Sequence, residues 1–214
     1  DEQYQKDHEN MLKTYGAKQF PVLEEVQKAL RPETVDSAYS DTIIELANFE
    51  NINREDHLRL LTKLSELVTV FLETGRFEDV LHIHNVIYSH MIEGKFKTEA
   101  LSMVEYFFHS EQFISKLLEA LKIWGRYSRE AAFKLVRVLR LYLMNPLLDA
   151  LNEEKNSSQR KFYLSILTYM GKGILPEAVR RLEDERWYVV RNMIYLIREC
   201  NGKEHVKKVR ALIK

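Results

Sequence analysis

Cysteine, proline and glycine are all scarce in this chain: one, four and seven among 214 residues. The lone Cys200 excludes a disulfide framework and fits a reducing compartment, so a cytoplasmic location is expected. So few glycines and prolines leave little material for the tight turns of all-β and α/β folds. No apolar run approaches the roughly 18 residues of a membrane span, so no membrane contact is expected. No signal peptide is expected either, since the charged start, apolar core and small-residue cleavage pattern are missing. Nor is one sign of charge in excess, with 32 Lys+Arg against 32 Asp+Glu. What remains is an ordinary globular mix, 45% apolar and 30% charged.

The even balance hides an asymmetry. Residues 1–120 hold 12 Lys+Arg against 22 Asp+Glu, a net of −10, and residues 121–214 hold 20 against 10, a net of +10. Such a split bears on partners and association rather than on fold. The chain starts without Met and ends within an expected helix, which predicts a piece excised from a longer protein.

Apolar residues recur at helical spacing along most of the chain. Residues 1–15 read as a solvated helix. The spacing predicts further helices over 18–30, 42–49, 54–74, 77–92, 99–109, 111–124 and 128–143, with 33–40 a connection. Pro21 opens the 18–30 helix and Pro32 stops it. Thr42 to Phe49 turns Ile43, Leu46, Ala47 and Phe49 inward. Asn53 starts a helix and Gly75 closes it. Thr98 and Ser128 are expected caps, and Asn145-Pro146 is expected to break the chain into separate helices. The hairpin over 58–92, turning at Gly75-Arg76-Phe77, loosely resembles a tetratricopeptide pair. It lacks that family's small residues and reads simply as an αα-hairpin.

The stretch Ile174 to Gly202 organises the C-terminal half. Pro176 sits in the first turn of a short helix, where its missing N–H costs nothing. Leu175, Ala178, Val179 and Leu182 share one face of it. Asp184 is the expected N-cap of a second helix, from Trp187 to Cys200, and Asn201-Gly202 is the expected C-cap pair. Val190, Met193, Ile194, Ile197 and Cys200 line the face of that helix, and Val189, Tyr195 and Leu196 widen it. The unit recurs upstream: Leu151 and Leu182, Arg160 and Arg191, and Gly171 and Gly202 are each 31 residues apart, with Arg129 another 31 before Arg160. Val206, Val209 and Ile213 repeat the positions of Leu175, Ala178 and Leu182. Self-similarity at this period marks stacked helical units that cannot bury their apolar faces alone.

Leu182-x-Asp184, then Val190-Arg191, then the apolar run to Gly202, resembles the HEAT repeat in its short bacterial form. The resemblance covers 174–202 best, then 146–171, then 117–143. It implies an all-α fold, an α-α superhelix or solenoid of antiparallel helix pairs. It also implies that Asp184 and Arg191, with Arg160 and Arg129 in register, tie successive repeats together. Upstream the pattern departs, because Glu153 replaces the Asp and Gln159 the Val. Residues 111–214 read as HEAT-like repeats, and 1–110 as a helical part continuous with them.

Catalytic signatures are few. Asp79-x-x-His82 has the spacing of a di-iron helix, but the second such pair is missing. Glu105 and His109 stand at i, i+4. His82, His84 and His90 fall about 200° and 240° apart around their helix and do not converge. Cys200 lies at a helix C-terminus, where the dipole disfavours a thiolate. No metal, no cofactor and no catalytic residue is therefore expected. The expected function is a non-catalytic protein-interaction scaffold or regulatory module. Its partner would be another protein or the rest of its own longer chain, bound through Arg129, Arg160, Arg180, Arg191 and Trp187. The alternative is nucleic acid on the basic half, because Arg129, Arg160 and Arg191 would form a stripe in a solenoid. Trp187, Asp184 and Arg191 also make a residue set like that of HEAT-like DNA glycosylases.

Overall fold

The computed structural model describes Ala29 and residues 31–94 and 96–212. The helices expected over 1–15 and 18–30 lie outside these residues, apart from Ala29, as does Ile213. Among the described residues the chain is all-α, with no strand. The helices are α1 (Pro32–Ala47), α2 (Arg54–Glu73), α3 (Phe77–Glu93), α4 (Lys97–Met103), α5 (Glu111–Ile123), α6 (Arg129–Val138), α7 (Arg140–Glu153), α8 (Ser157–Tyr169), α9 (Leu175–Arg180), α10 (Trp187–Glu199) and α11 (Val206–Ala211). None is long and apolar enough to cross a membrane.

Local chemistry explains most boundaries. Asn53 starts α2 by accepting the Asp56 N–H at 2.9 Å, and Ser110 starts α5 by accepting the Phe113 N–H at 3.1 Å. Asn156 accepts from Ser158 and Gln159 at the head of α8. Gly75 ends α2 in the left-handed region, φ +73°, and the Arg76 N–H reaches back to the Phe71 carbonyl at 2.8 Å. Asn201 ends α10 in the same way at φ +57°, with the Gly202 N–H on the Ile197 carbonyl at 2.8 Å. Both are Schellman ends, and the Asn-Gly pair does what its sequence predicts.

Six expectations are corrected. Residues 33–40 are helical, not a connection, and Pro32 opens α1 rather than stopping its predecessor. Proline suits both positions, since a first-turn N–H has no intrahelical partner to lose. Phe49 and Leu46 point to solvent, while Ile43, Ile44 and Ala47 are buried. Thr98 is not a cap: α4 starts at Lys97 without a side-chain cap, and Ser128 makes no cap bond either. The segment after α4 is not plain α-helix but a π-helical turn over Val104–Phe108. Pro146 lies inside α7, and the break falls at Leu139. Asp184 accepts the Arg186 N–H at 2.9 Å, so Arg186, not Asp184, is the N-cap residue of α10.

Short connections make the helices pack in two rows. In one, α2 packs on α5 and α5 on α7; in the other, α3 packs on α6, α6 on α8 and α8 on α10. The rows pair through α2 with α3, α7 with α8 and α9 with α10, while α1 lies on α2 and α3, and α4 on α3. The corner at Leu139 carries the chain from the second row to the first. One apolar core runs through both rows from Ile43 to Cys200. Phe71, Phe77 and Phe108 are its largest fully buried side chains. The α2–α3 turn is held under α5: Trp124 Nε1 donates to the Glu73 carbonyl at 2.9 Å, and its ring lies against Gly75.

Candidate functional site

The second half of α3, the π turn and the α6–α7 corner enclose a cleft of about 550 Å³. From α3 come His84, Asn85, Tyr88 and Met91, and from the corner come Val138, Leu141 and Tyr142. The π turn is what lets the third wall contribute. It buries Val104 and Phe108 on one side and brings Glu105 and His109 to the cleft. Single π turns within helices recur at functional sites because the extra residue re-aims side chains.

Aromatic contacts build the floor. The His84 ring meets Phe108 edge-on at 5.0 Å and lies parallel to Tyr88 at 6.1 Å. His109 stacks on Tyr142 with ring centres 3.3 Å apart. Burial holds the His84 imidazole below the ordinary histidine value, with a hydrogen bond from the ring to Asn85 opposing and His109 adding to the shift. Burial lowers His109 too, against the pull of Glu105. Both rings are therefore neutral at neutral pH, and among the described residues Glu105 is the one carboxylate lining the cleft.

The rim is apolar and open. Leu141 is 73% exposed, Tyr142 47%, Tyr88 46%, Val138 45% and Leu101 40%. Large exposed apolar side chains scattered singly need no explanation, but a contiguous set around a cleft marks a binding surface. Chemically, the site offers apolar and aromatic contact with two neutral imidazoles and two phenols for hydrogen bonds.

The residues singled out from the sequence lie elsewhere and do not converge on one site. Arg129 is the first residue of α6, with its guanidinium 4.9 Å from the Phe133 ring centre. Arg160, in the first turns of α8, donates to the Glu154 and Lys155 carbonyls at 3.1 and 2.6 Å. Arg191 sits 5.1 Å over the ring of Trp187, which is 69% exposed. Arg180, at the end of α9, is paired with Glu177. Arg129, Arg160 and Arg191 thus occupy the early turns of three helices that pack in succession. The ladder implied for Asp184 and Arg191 is not seen among the described residues: Asp184 pairs with Arg186 at 2.8 Å, and Arg191 contacts Asn192 and Trp187. Asp79 is held by Arg76 and Ser37, and His82 faces Asp41 at 3.6 Å. No three metal-ligating side chains gather among the described residues.

The cleft was not legible in the sequence: Tyr88 and Tyr142 fall on the apolar stripes of their helices, as buried residues do, yet they are 46% and 47% exposed. Compared with protein families, with characterised proteins and with solved structures, the chain matches none.

Proposed function

We propose that the chain is a non-catalytic protein-interaction module built as a HEAT-like stack of helix pairs. It holds an apolar segment of another protein in the cleft between α3, the π turn and the α6–α7 corner. The carrying observation is the exposed set Tyr88, Leu101, Val138, Leu141 and Tyr142 around one concavity. The succession of packed helices in two rows supports the stack. Buried Cys200, its thiol pushed up by burial, supports a module without a cysteine nucleophile and a cytoplasmic setting. The segment that fits is a helix or extended stretch with a bulky apolar anchor, next to a cation that meets Glu105.

Replacing Leu141 by Glu puts a charge where the anchor sits. Because Leu141 is 73% exposed, the Leu141→Glu protein is expected to keep its stability within about 0.5 kcal/mol. Tyr142→Ala removes an aromatic contact of the kind that dominates interfaces, so partner affinity should fall roughly 30-fold, about 2 kcal/mol. Unchanged partner binding in both folded variants would remove the cleft from the function.

A second function rests on Arg129 and Arg191, which have no carboxylate partner among the described residues; Arg129 lies over Phe133 and Arg191 over exposed Trp187. Phosphate backbones bind such rows through counterion release. Fluorescence polarisation with labelled duplex and single-stranded DNA and RNA separates the two. The protein-partner function predicts no binding at physiological salt. Salt-sensitive micromolar binding, lost in the Arg129→Glu/Arg191→Glu double variant, would replace it with a nucleic-acid surface.

A further inference from the structure

The N-terminal helices carry a second cleft, of about 320 Å³, where α1 ends, α2 begins and α3 ends. His57 and His90 line it and are 2% and 9% exposed. Their ring centres are 5.7 Å apart. Each has a buried Nδ1 with no hydrogen-bond partner among the described residues. An unpaired polar atom at such depth costs about 1–3 kcal/mol, so a fold keeps two side by side only with a use or a hidden partner.

The tautomer of His90 follows from its neighbour. Its Nε2 lies 2.6 Å from Asn48 Oδ1. A carboxamide oxygen only accepts, so Nε2 carries the proton and Nδ1 presents a lone pair. This is how metal-ligating histidines are held: one nitrogen donates to a carbonyl or carboxylate, and the other is left basic and aimed. His57 has buried Glu99 on its side, itself held by Arg54 at 2.5 Å. The spacing also fits. Two imidazoles sharing one ion at about 2.1 Å per nitrogen stand with ring centres about 5–6 Å apart.

We infer that His57 and His90 form a two-imidazole site for a borderline divalent cation such as Zn²⁺, Ni²⁺ or Cu²⁺, with both Nδ1 atoms as ligands. The remaining positions are completed by water through the cleft mouth. Imidazole nitrogens select these ions over Ca²⁺ and Mg²⁺, which prefer oxygen. The bound ion ties the first turn of α2 to the last turn of α3, and so steadies the chain at the Asn48–Arg54 connection.

The decisive experiment needs no substitution in the site. Long-range ¹H–¹⁵N spectra of the intact chain, with its histidines assigned, are recorded during Zn²⁺ titration at pH 7.5. The background carries His82→Ala and His205→Ala, to remove surface binding. The proposal expects saturable one-to-one binding that shifts the Nδ1 resonances of both His57 and His90 and leaves their Nε2 resonances protonated or little moved. Mg²⁺ should move neither. In parallel, Zn²⁺ should raise the melting temperature by several degrees, and His57→Gln should abolish the rise. If His57→Gln does not fold, the nitrogen shifts decide alone. No shift at His57 and His90, shifts confined to other histidines, or metal on Nε2 overturns the proposal.

Discussion

Gly75→Ala is expected to destabilise the chain by about 2–4 kcal/mol, the sum of a left-handed backbone cost near 1 kcal/mol and an overpacking cost of about 1–3. A Cβ at Gly75 would lie 2.5 Å from Trp124 Cγ and 2.6 Å from Trp124 Cβ. Those atoms are the stem of the indole, not its free end. The ring is also pinned by the Nε1 bond to the Glu73 carbonyl at 2.9 Å. Relief therefore requires moving α5 against α2, and α5 is the middle of its row. Two other glycines separate the causes. Gly171 has φ +72° with nothing within 4 Å of an added Cβ, so Gly171→Ala should show the backbone cost alone, about 1 kcal/mol. Gly173 has open space and ordinary φ, so Gly173→Ala should be neutral or stabilising by up to about 1 kcal/mol. Urea unfolding of the three variants measures this order. Equal losses at Gly75 and Gly171 would show that Trp124 does not lock the turn.

The second large effect is acid sensitivity at mildly low pH. Burial lowers His57, with His90 adding to the shift and Glu99 opposing it. Burial likewise lowers His90 and His109, and it lowers His84 against a hydrogen bond that the ring donates to Asn85. A histidine lowered in the folded chain binds fewer protons there than in the unfolded one. Its contribution is therefore complete above the unfolded value near 6.5 and is lost as pH falls towards the folded value. In that window the loss from each such histidine can rise to, but not exceed, about 1.4 kcal/mol per pH unit. Several acting together bear on a typical stability of about 5–15 kcal/mol. Carboxylates act in another window. Arg180 and Arg181 beside Glu177 hold its carboxyl at about 2, so its contribution persists through pH 5 and is lost only as pH falls from its ordinary value towards 2. Denaturation at pH 7.5, 6.0 and 5.0 should show stability falling once the pH drops below about 6.5. A His84→Gln variant that folds should lessen the slope, since it removes one of the four histidines that burial lowers. A flat profile down to pH 5 would show that these histidines are protonated without cost.

The two predictions draw on features of unequal legibility in the sequence. Gly75 announces itself, because a glycine closing an apolar helical stripe is a known stop, and Asn53 and Asn201-Gly202 are equally direct. Trp124 as its lock is invisible, since the contact spans 49 positions and depends on the packing of α2 on α5. Proline misled twice. Pro32 and Pro146 are compatible with a helix start, a helix interior after the first turn, or a stop, and composition alone does not choose. The π turn at Val104–Phe108 has no residue signature, so the cleft wall it builds was not predictable. Histidine spacing within α3 was weighed, but His57 belongs to α2, and its pairing with His90 exists only once the hairpin closes. The arginine repeat was legible as spacing. Which groups those side chains touch was not, because Arg160 turns to backbone carbonyls and Asp184 to Arg186.

The most direct test of the central claim is site-specific photo-crosslinking in the source cells. A photoreactive residue is placed at Leu141 and, separately, Tyr88 in the cleft rim, at Arg191 on the basic face, and at exposed Glu45 as control. The interaction-module account predicts one defined protein adduct from position 141, reproduced from position 88 and abolished by Tyr142→Ala, with none from 45. Adducts from position 191 alone, or none above the control from 141 and 88, would contradict it.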